Sequence, residues 1–375
     1  MKTCFHSLLA ALCAVSCIYP YQPDISREVS QTVVVDGKIL VGGTSIIQVG
    51  YLQPLDGYSW ETNPVADAWV EDDLGNRYPS SGKNYASGYL YIPTDMPQAL
   101  SASSFRAVVQ VDGETYVSDW TTPDPAPVIN DIHFGSDNDW VYVWADMETP
   151  LDNPGYMGFM IEETWEFHAD YYPMYYVNTD TWQYELYEEF YPYYWCWRTY
   201  APMNVVLANL TQLHGGLIRN IPITTFGRMD NRNHRRYSIL VKAFALSKEA
   251  YQFNQQLQEM ANMGGSLFTP DPGALEGNLV CESDPTREVM GMVLSGRVAT
   301  RRVFLDSQYL ITRQPSYPKR FIEEKSDFTR FYYDMKYRPI EYVDVEGVPA
   351  MAWGPERCIN CIVAGGTQQK PDFWD

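Results

Sequence analysis

The chain has 375 residues, enough for two domains that each bury an apolar core, and its 45% of hydrophobic residues excludes a disordered polypeptide. Lys and Arg number 27 against 47 Asp and Glu, a formal charge of −20 at pH 7, which argues against nucleic acid as a partner and against global attraction to anionic membranes. The 29 Tyr, 15 Phe and 11 Trp favour β-structure and half-exposed binding surfaces over helical bundles.

Residues 1–16 read as a bacterial lipoprotein signal peptide. Lys2 supplies the positive end, residues 5–15 form an apolar stretch too short to span a bilayer, and Ala14-Val15-Ser16-Cys17 matches a lipobox cleaved before Cys17. Lipidation of Cys17, with its palmitate-type acyl chains, supplies more than one hydrocarbon anchor and so a stable attachment. Residues 17–26 are then lipid anchor and tether.

Residues 27–121 alternate short apolar runs with turn residues, the pattern of an immunoglobulin-like or transthyretin-like β-sandwich. Asp36-Gly37 reads as a turn after Val33-Val34-Val35, and Asp112-Gly113 as the tip of a hairpin. Pro123, Pro125 and Pro127 make residues 122–128 an extended linker. Residues 129–375 are expected to form a larger β-sandwich domain that opens on Trp140-Val141-Tyr142-Val143-Trp144. It contains one short helix, capped by Ser247, with Ala250, Phe253, Leu257, Met260 and Ala261 at helical spacing and Gly264-Gly265 at its end. The expected fold class is mainly β, with an aromatic insertion at 165–200 and a cysteine-containing C-terminal tail.

Several short motifs follow one another in a particular order. They are Val34-Val35-Asp36-Gly37, Ala68-Trp69-Val70 with Gly75, Glu163-Thr164-Trp165-Glu166, Arg236-Tyr237-Ser238-Ile239 and Gly265-Ser266-Leu267-Phe268 with Pro272. Gly277-Asn278, Cys358-Ile359-Asn360-Cys361, Gly365-Gly366, Lys370-Pro371 and Phe373-Trp374 follow. In this order and spacing they resemble the Bacteroidota outer-membrane lipoprotein family labelled domain of unknown function 4249. The resemblance implies an outer-membrane-attached β-protein, with members often encoded beside TonB-dependent transporters, and it implies no reaction. The tether lacks the acidic run that some surface-exposed lipoproteins carry, so both the periplasmic and the surface face stay open.

With Cys17 lipidated, Cys196, Cys281, Cys358 and Cys361 form an even set in an oxidising compartment. The favoured pairs are Cys358–Cys361 and Cys196–Cys281; a redox Cys-x-x-Cys and a four-cysteine zinc site are weaker readings, since no helix pattern follows Cys361 and only one such pair exists. Residues 165–200 concentrate aromatic side chains beside acids. Trp165, Tyr171, Tyr172, Tyr175, Tyr176, Trp182, Tyr193, Tyr194, Trp195 and Trp197 are the candidate binding face, for a transporter or for sugar rings; the alternative is a long aromatic hairpin packed over its own sandwich. Arg228, Arg232, Arg235 and Arg236 form a basic loop, read either as arginines paired with nearby carboxylates or as an anion site.

No catalytic motif is found: His-Glu-x-x-His, Gly-x-Ser-x-Gly and a phosphate-cradling glycine loop are all missing from the sequence. Asp137-Asn138-Asp139 and Glu71-Asp72-Asp73 could touch calcium but read more simply as acidic turns. No metal and no cofactor is expected. The expected function is a non-enzymatic accessory or binding subunit beside a TonB-dependent transporter, the alternative a glycan- or peptide-binding module that captures nutrient directly.

Overall fold

The computed structural model describes residues 32–52, 63–84, 86–150, 154–263, 277–305, 309–311, 317–321 and 327–374. Cys17, the signal peptide, the tether and Gly264-Gly265 lie outside the described residues. No helix among the described residues is long and apolar enough to cross a membrane.

The protein is mainly β. Its first strands are β1 (Val33–Val41), β2 (Thr44–Tyr51), β3 (Ala66–Asp72), β4 (Arg77–Pro79), β5 (Gly82–Asn84), β6 (Tyr89–Pro93), β7 (Phe105–Val111) and β8 (Glu114–Ser118), with a short helix α1 (Pro97–Ser101) before β7. Alternation places Val33, Val35, Ile39 and Val41 of β1 opposite Val109 and Val111 of β7 in one core. Asp112 and Gly113 both take positive φ (53° and 82°), as a two-residue hairpin turn requires. Asp36-Gly37, expected as a turn, instead lies inside β1, and the chain reverses at Gly42-Gly43. Gly37 answers a packing demand: a Cβ there would meet Val293 Cγ2 at 2.6 Å.

The rest of the chain adds β9 (Val128–Ser136), β10 (Trp140–Thr149), β11 (Tyr156–His168), β12 (Tyr175–Asn178), β13 (Gln183–Leu186), β14 (Trp195–Tyr200), β15 (Val206–Asn209), β16 (Gly216–Gly227) and β17 (Arg236–Leu246). Helix α2 (Lys248–Met263) follows, then β18 (Leu279–Cys281), β19 (Val289–Arg297), β20 (Ala299–Phe304), β21 (Arg320–Phe321), β22 (Tyr337–Val345) and β23 (Val348–Pro355). Sheets β16-β10-β9 and β14-β11-β17-β20 enclose a second core around Val141, Val143, Phe159, Phe226, Tyr237 and Val241. Helix α2 is capped as expected, the Ala250 N–H donating to Ser247 Oγ at 3.1 Å.

The linker at 122–128 does not divide the chain into two self-contained units. β19 pairs in parallel with β1, from Val33 beside Val289 to Val41 beside Arg297, and β18 pairs antiparallel with β8. Two strands that the sequence assigns to the second domain therefore complete the first sandwich. Sheet β19-β1-β2-β6-β5 is covered on both faces as a result: Leu40, Ile46, Met292 and Leu294 pack outward against Phe244 of β17 and Ala250 and Phe253 of α2. This apolar seam joins the two sandwiches.

Hairpin β12–β13 and sheet β21-β23-β22 build a third, smaller unit around Val177, Phe328, Met351 and Trp353. The aromatic insertion thus folds together with the C-terminal strands rather than as a hairpin laid over its own sandwich.

Candidate functional site

The β12–β13 hairpin closes at Asn178, whose Oδ1 accepts from the N–H groups of Asp180 (3.0 Å) and Thr181 (3.3 Å) while its carbonyl accepts from Trp182 N–H at 2.7 Å. Trp182 takes φ 52°, uncommon for a bulky residue, and its ring packs on Tyr332 and Tyr333 at 6.1 and 6.0 Å. Tyr332 belongs to a π-helical turn, Arg330–Asp334, a geometry frequent near functional sites. After β13 the chain folds back: Tyr187 N–H donates to Met174 O at 3.0 Å, and Tyr191 N–H to the Tyr172 hydroxyl at 3.0 Å.

These returns leave a cleft of about 200 Å³ between the insertion and the C-terminal strands. Tyr176, Tyr187, Tyr191, Tyr193 and Tyr332 wall it, and Arg338, Glu356 and Asn360 supply polar groups. Tyr191, only 8% exposed, lies between Tyr187 and Tyr193, ring centroids 5.1 and 5.6 Å away. Arg338 is spent inside the protein: it donates to the carbonyls of Tyr332 (2.8 Å) and Tyr337 (2.9 Å) and to Glu356 Oε2 (2.9 Å), and stacks 4.1 Å from the Tyr332 ring. The Tyr176 hydroxyl donates to Glu185, which also accepts from Asn178 Nδ2 at 2.8 Å. The hydroxyls of Tyr187, Tyr191, Tyr193 and Tyr332 make no hydrogen bond to the described residues.

Burial pushes the Tyr187 and Tyr191 phenols above their ordinary range, and neighbouring phenols add to it. For Tyr176 the hydrogen bond to Glu185 does the same, and that bond, with Asn178, holds Glu185 below the usual carboxylate range. These three phenols are therefore neutral hydroxyls near neutral pH, able to donate and accept but not poised as nucleophiles.

The expected aromatic face is divided. Tyr175, Tyr176 and Tyr193 reach the cleft, and Tyr172 flanks it with its ring 6.5 Å from Tyr191. Tyr171 turns to the tail, its N–H donating to Cys358 O at 2.9 Å. Tyr194 stacks on His168 at 5.0 Å, and Trp195 lies under the Arg235 guanidinium at 4.1 Å. Trp165 belongs to the second core, the Trp197 indole N–H is buried, and Trp182 packs in the third unit, so none of these three joins the cleft. Conversely, Tyr187 and Tyr191 line the cleft from within the 165–200 stretch without being among the ten named residues, and Tyr332, Arg338, Glu356 and Asn360 join it from outside that stretch. Tyr187 and Tyr191 sit in the dense aromatic stretch, whereas Tyr332 and Arg338 approach only through the pairing of distant strands.

The cysteine expectation is also corrected. A disulfide joins Cys196 on β14 to Cys361, with Cα atoms 5.7 Å apart, while Cys281 and Cys358 are buried thiols. Cys281 sits in the first core and Cys196 in the second, which rules out their pairing. Cys361 enters the second core beside Cys196, whereas Cys358 ends the short turn Glu356–Cys358 outside it.

In the basic loop Arg232 donates to both oxygens of Glu163 (2.9 and 3.1 Å) and to Asp230, and Tyr237 also donates to Glu163 at 2.7 Å. Arg235 pairs with Glu166 at 2.9 Å, Arg228 donates to Asp137 O at 2.7 Å, and Arg236 stacks on Phe304 at 4.3 Å. Arg232 and Arg235 thus pair with carboxylates, as the simpler reading has it, whereas Arg228 is held by a backbone carbonyl and Arg236 packs on an aromatic ring. Asp72 and Asp137 accept from backbone N–H groups and tyrosine hydroxyls of their own turns. No group of three or more His, Cys, Asp or Glu that could hold a metal occurs among the described residues.

A family model described as "Domain of unknown function (DUF4249)" matches residues 18–302. The chain belongs to the DUF4249 family. The matched span ends within β20, so Tyr332, Arg338, Glu356 and Asn360 of the cleft follow it. No curated protein matches this DUF4249 chain. Among solved structures it is similar to a DUF4785 family protein from Legionella pneumophila, at 10% identity and TM-score 0.19 over 56% of this chain and 51% of that one. It is also similar to trypsin-activated alpha-2-macroglobulin from Escherichia coli, at 10% identity and TM-score 0.19 over 80% of this chain and 17% of that one. The DUF4249 chain thus spans about half the length of the first and a small part of the second, and at these TM-scores neither likeness carries an argument.

Proposed function

We propose that this DUF4249 protein is an outer-membrane lipoprotein anchored through Cys17, and that it acts as a non-enzymatic binding subunit beside a TonB-dependent transporter. The observation that supports a binding role is a run of touching, half-exposed rings on the third unit. Phe190 (64% exposed), Tyr172 (37%), Tyr187 (38%) and Tyr193 (40%) are linked through the buried Tyr191. Tyrosine offers large amphipathic contact area at small entropic cost, which is why it concentrates in recognition surfaces. The lipobox and the transporter association come from the sequence and its family resemblance.

Two experiments test this. Radiolabelled palmitate should enter the wild type and not Cys17→Ala, which should also leave the membrane fraction. A C-terminally tagged protein extracted in mild detergent should bring down an outer-membrane barrel; recovery as a lone monomer would overturn the transporter reading. A second reading, direct capture of a glycan or peptide, is favoured by the cleft of unpartnered phenols.

A further inference from the structure

A hydroxyl removed from water without a hydrogen bond costs free energy, so buried ones are nearly always partnered. The cleft satisfies that rule with solvent at Tyr191: the residue is 8% exposed and its ring is largely covered, while its hydroxyl, which has no partner among the described residues, opens to the cavity and not into the core. Tyr187, Tyr193 and Tyr332 bring three more unpartnered hydroxyls to the same space. The two charges beside them, Arg338 and Glu356, are bonded to each other at 2.9 Å, and Arg338 Nη1 is taken by two carbonyls. A charged ligand would find no unpaired counter-charge there.

What the cleft offers is a set of ring faces edged by neutral groups that both donate and accept. The matching ligand has apolar C–H faces and hydroxyls around its rim, which is the chemistry of a pyranose. A cavity of about 200 Å³ lies below the roughly 300–1,000 Å³ of drug-sized sites and so suits one or two rings. An extended peptide would instead need a longer groove or an open strand edge to satisfy its backbone.

We infer that the cleft formed by Tyr187, Tyr191, Tyr193 and Tyr332 is a binding site for a neutral saccharide unit. The inference rests on the binding role proposed above and names the ligand class of that surface.

Isothermal titration of the purified mature chain with maltotriose, cellotriose, xylotriose and triacetylchitotriose tests it, without any transporter present. At least one should bind with Kd of about 1 mM or tighter. Tyr187→Ala and Tyr193→Ala should each weaken that binding at least about tenfold through lost stacking. Tyr191→Phe keeps the ring and removes one hydroxyl; it should weaken binding about fivefold with unchanged Tm, which separates recognition from folding. No binding by any of the four at about 10 mM, or equal affinity in Tyr191→Phe and Tyr193→Ala, would overturn the site. A captured barrel without saccharide binding defeats this inference alone, and saccharide binding without a captured barrel defeats the transporter reading alone.

Discussion

Removal of the Cys196–Cys361 disulfide should destabilise the protein chiefly through the unfolded chain. The bond spans 165 residues, and the chain-entropy treatment gives about 5 kcal/mol for a loop of that length. The native tail has other restraints: Cys361 N–H donates to Tyr193 O at 2.9 Å, and Trp197 and Thr367 exchange backbone hydrogen bonds at 2.8 Å. The Gly366 backbone also packs so close that a Cβ there would lie 2.6 Å from Cys196 Cβ. Cys361→Ser should therefore keep its fold while its urea midpoint falls, with a larger m-value because the unbridged unfolded chain exposes more surface. Cys196→Ser and the double variant should match it, whereas Cys358→Ser should leave the midpoint within the range of an ordinary core change, about 1–3 kcal/mol. An unchanged midpoint in Cys361→Ser, or a non-reduced peptide map joining Cys358 to Cys361, would refute the reasoning.

Three further perturbations probe the packing. Arg232→Ala strands the carboxylate of Glu163, which is 1% exposed, and should cost about 3–5 kcal/mol in denaturant unfolding; a loss under about 1 kcal/mol would contradict the buried pairing. Gly291 has φ +110° and sits where a Cβ would be 2.0 Å from Val35 O, so Gly291→Ala should break the β1–β19 pairing at a cost of about 3 kcal/mol or more, read as lost amide protection in β1. Burial by itself raises the Asp72 pKa, but hydrogen bonds from Tyr78, from the Asn76 side chain and from the Asn76 and Leu74 N–H groups outweigh it and hold it below the ordinary value. Its contribution is thus present above the unfolded pKa of about 3.9 and is lost as pH falls through the lower folded value. Below about pH 4 the stability of the wild type should drop more steeply than that of Asp72→Asn, and parallel curves would contradict the role.

Features written in local chemistry were legible in the sequence. Asp112-Gly113 takes the two positive φ values its residue types permit, and Ser247 caps the helix whose Ala250 and Phe253 are buried. Asp36-Gly37 carries the same dipeptide, yet its glycine makes room for Val293, a neighbour supplied by a strand far along the chain. A parallel partner needs a long crossover, so nothing beside β1 announces β19. The disulfide follows the same logic: cysteine parity is visible in sequence, whereas the choice of partner depends on which core each thiol enters. The aromatic density located the insertion, but it could not tell Trp165, which fills a core, from Tyr187, which faces the cleft.

The central claim is that the third unit touches an outer-membrane transporter in the cell. Site-specific photo-crosslinking tests it most directly, with the photoreactive residue at Phe190, 64% exposed on the ring cluster, and a control at Val65, 78% exposed on the first sandwich. The account predicts an adduct with an outer-membrane barrel from position 190 and none from position 65. No adduct at 190, or the same adduct from both positions, would contradict it.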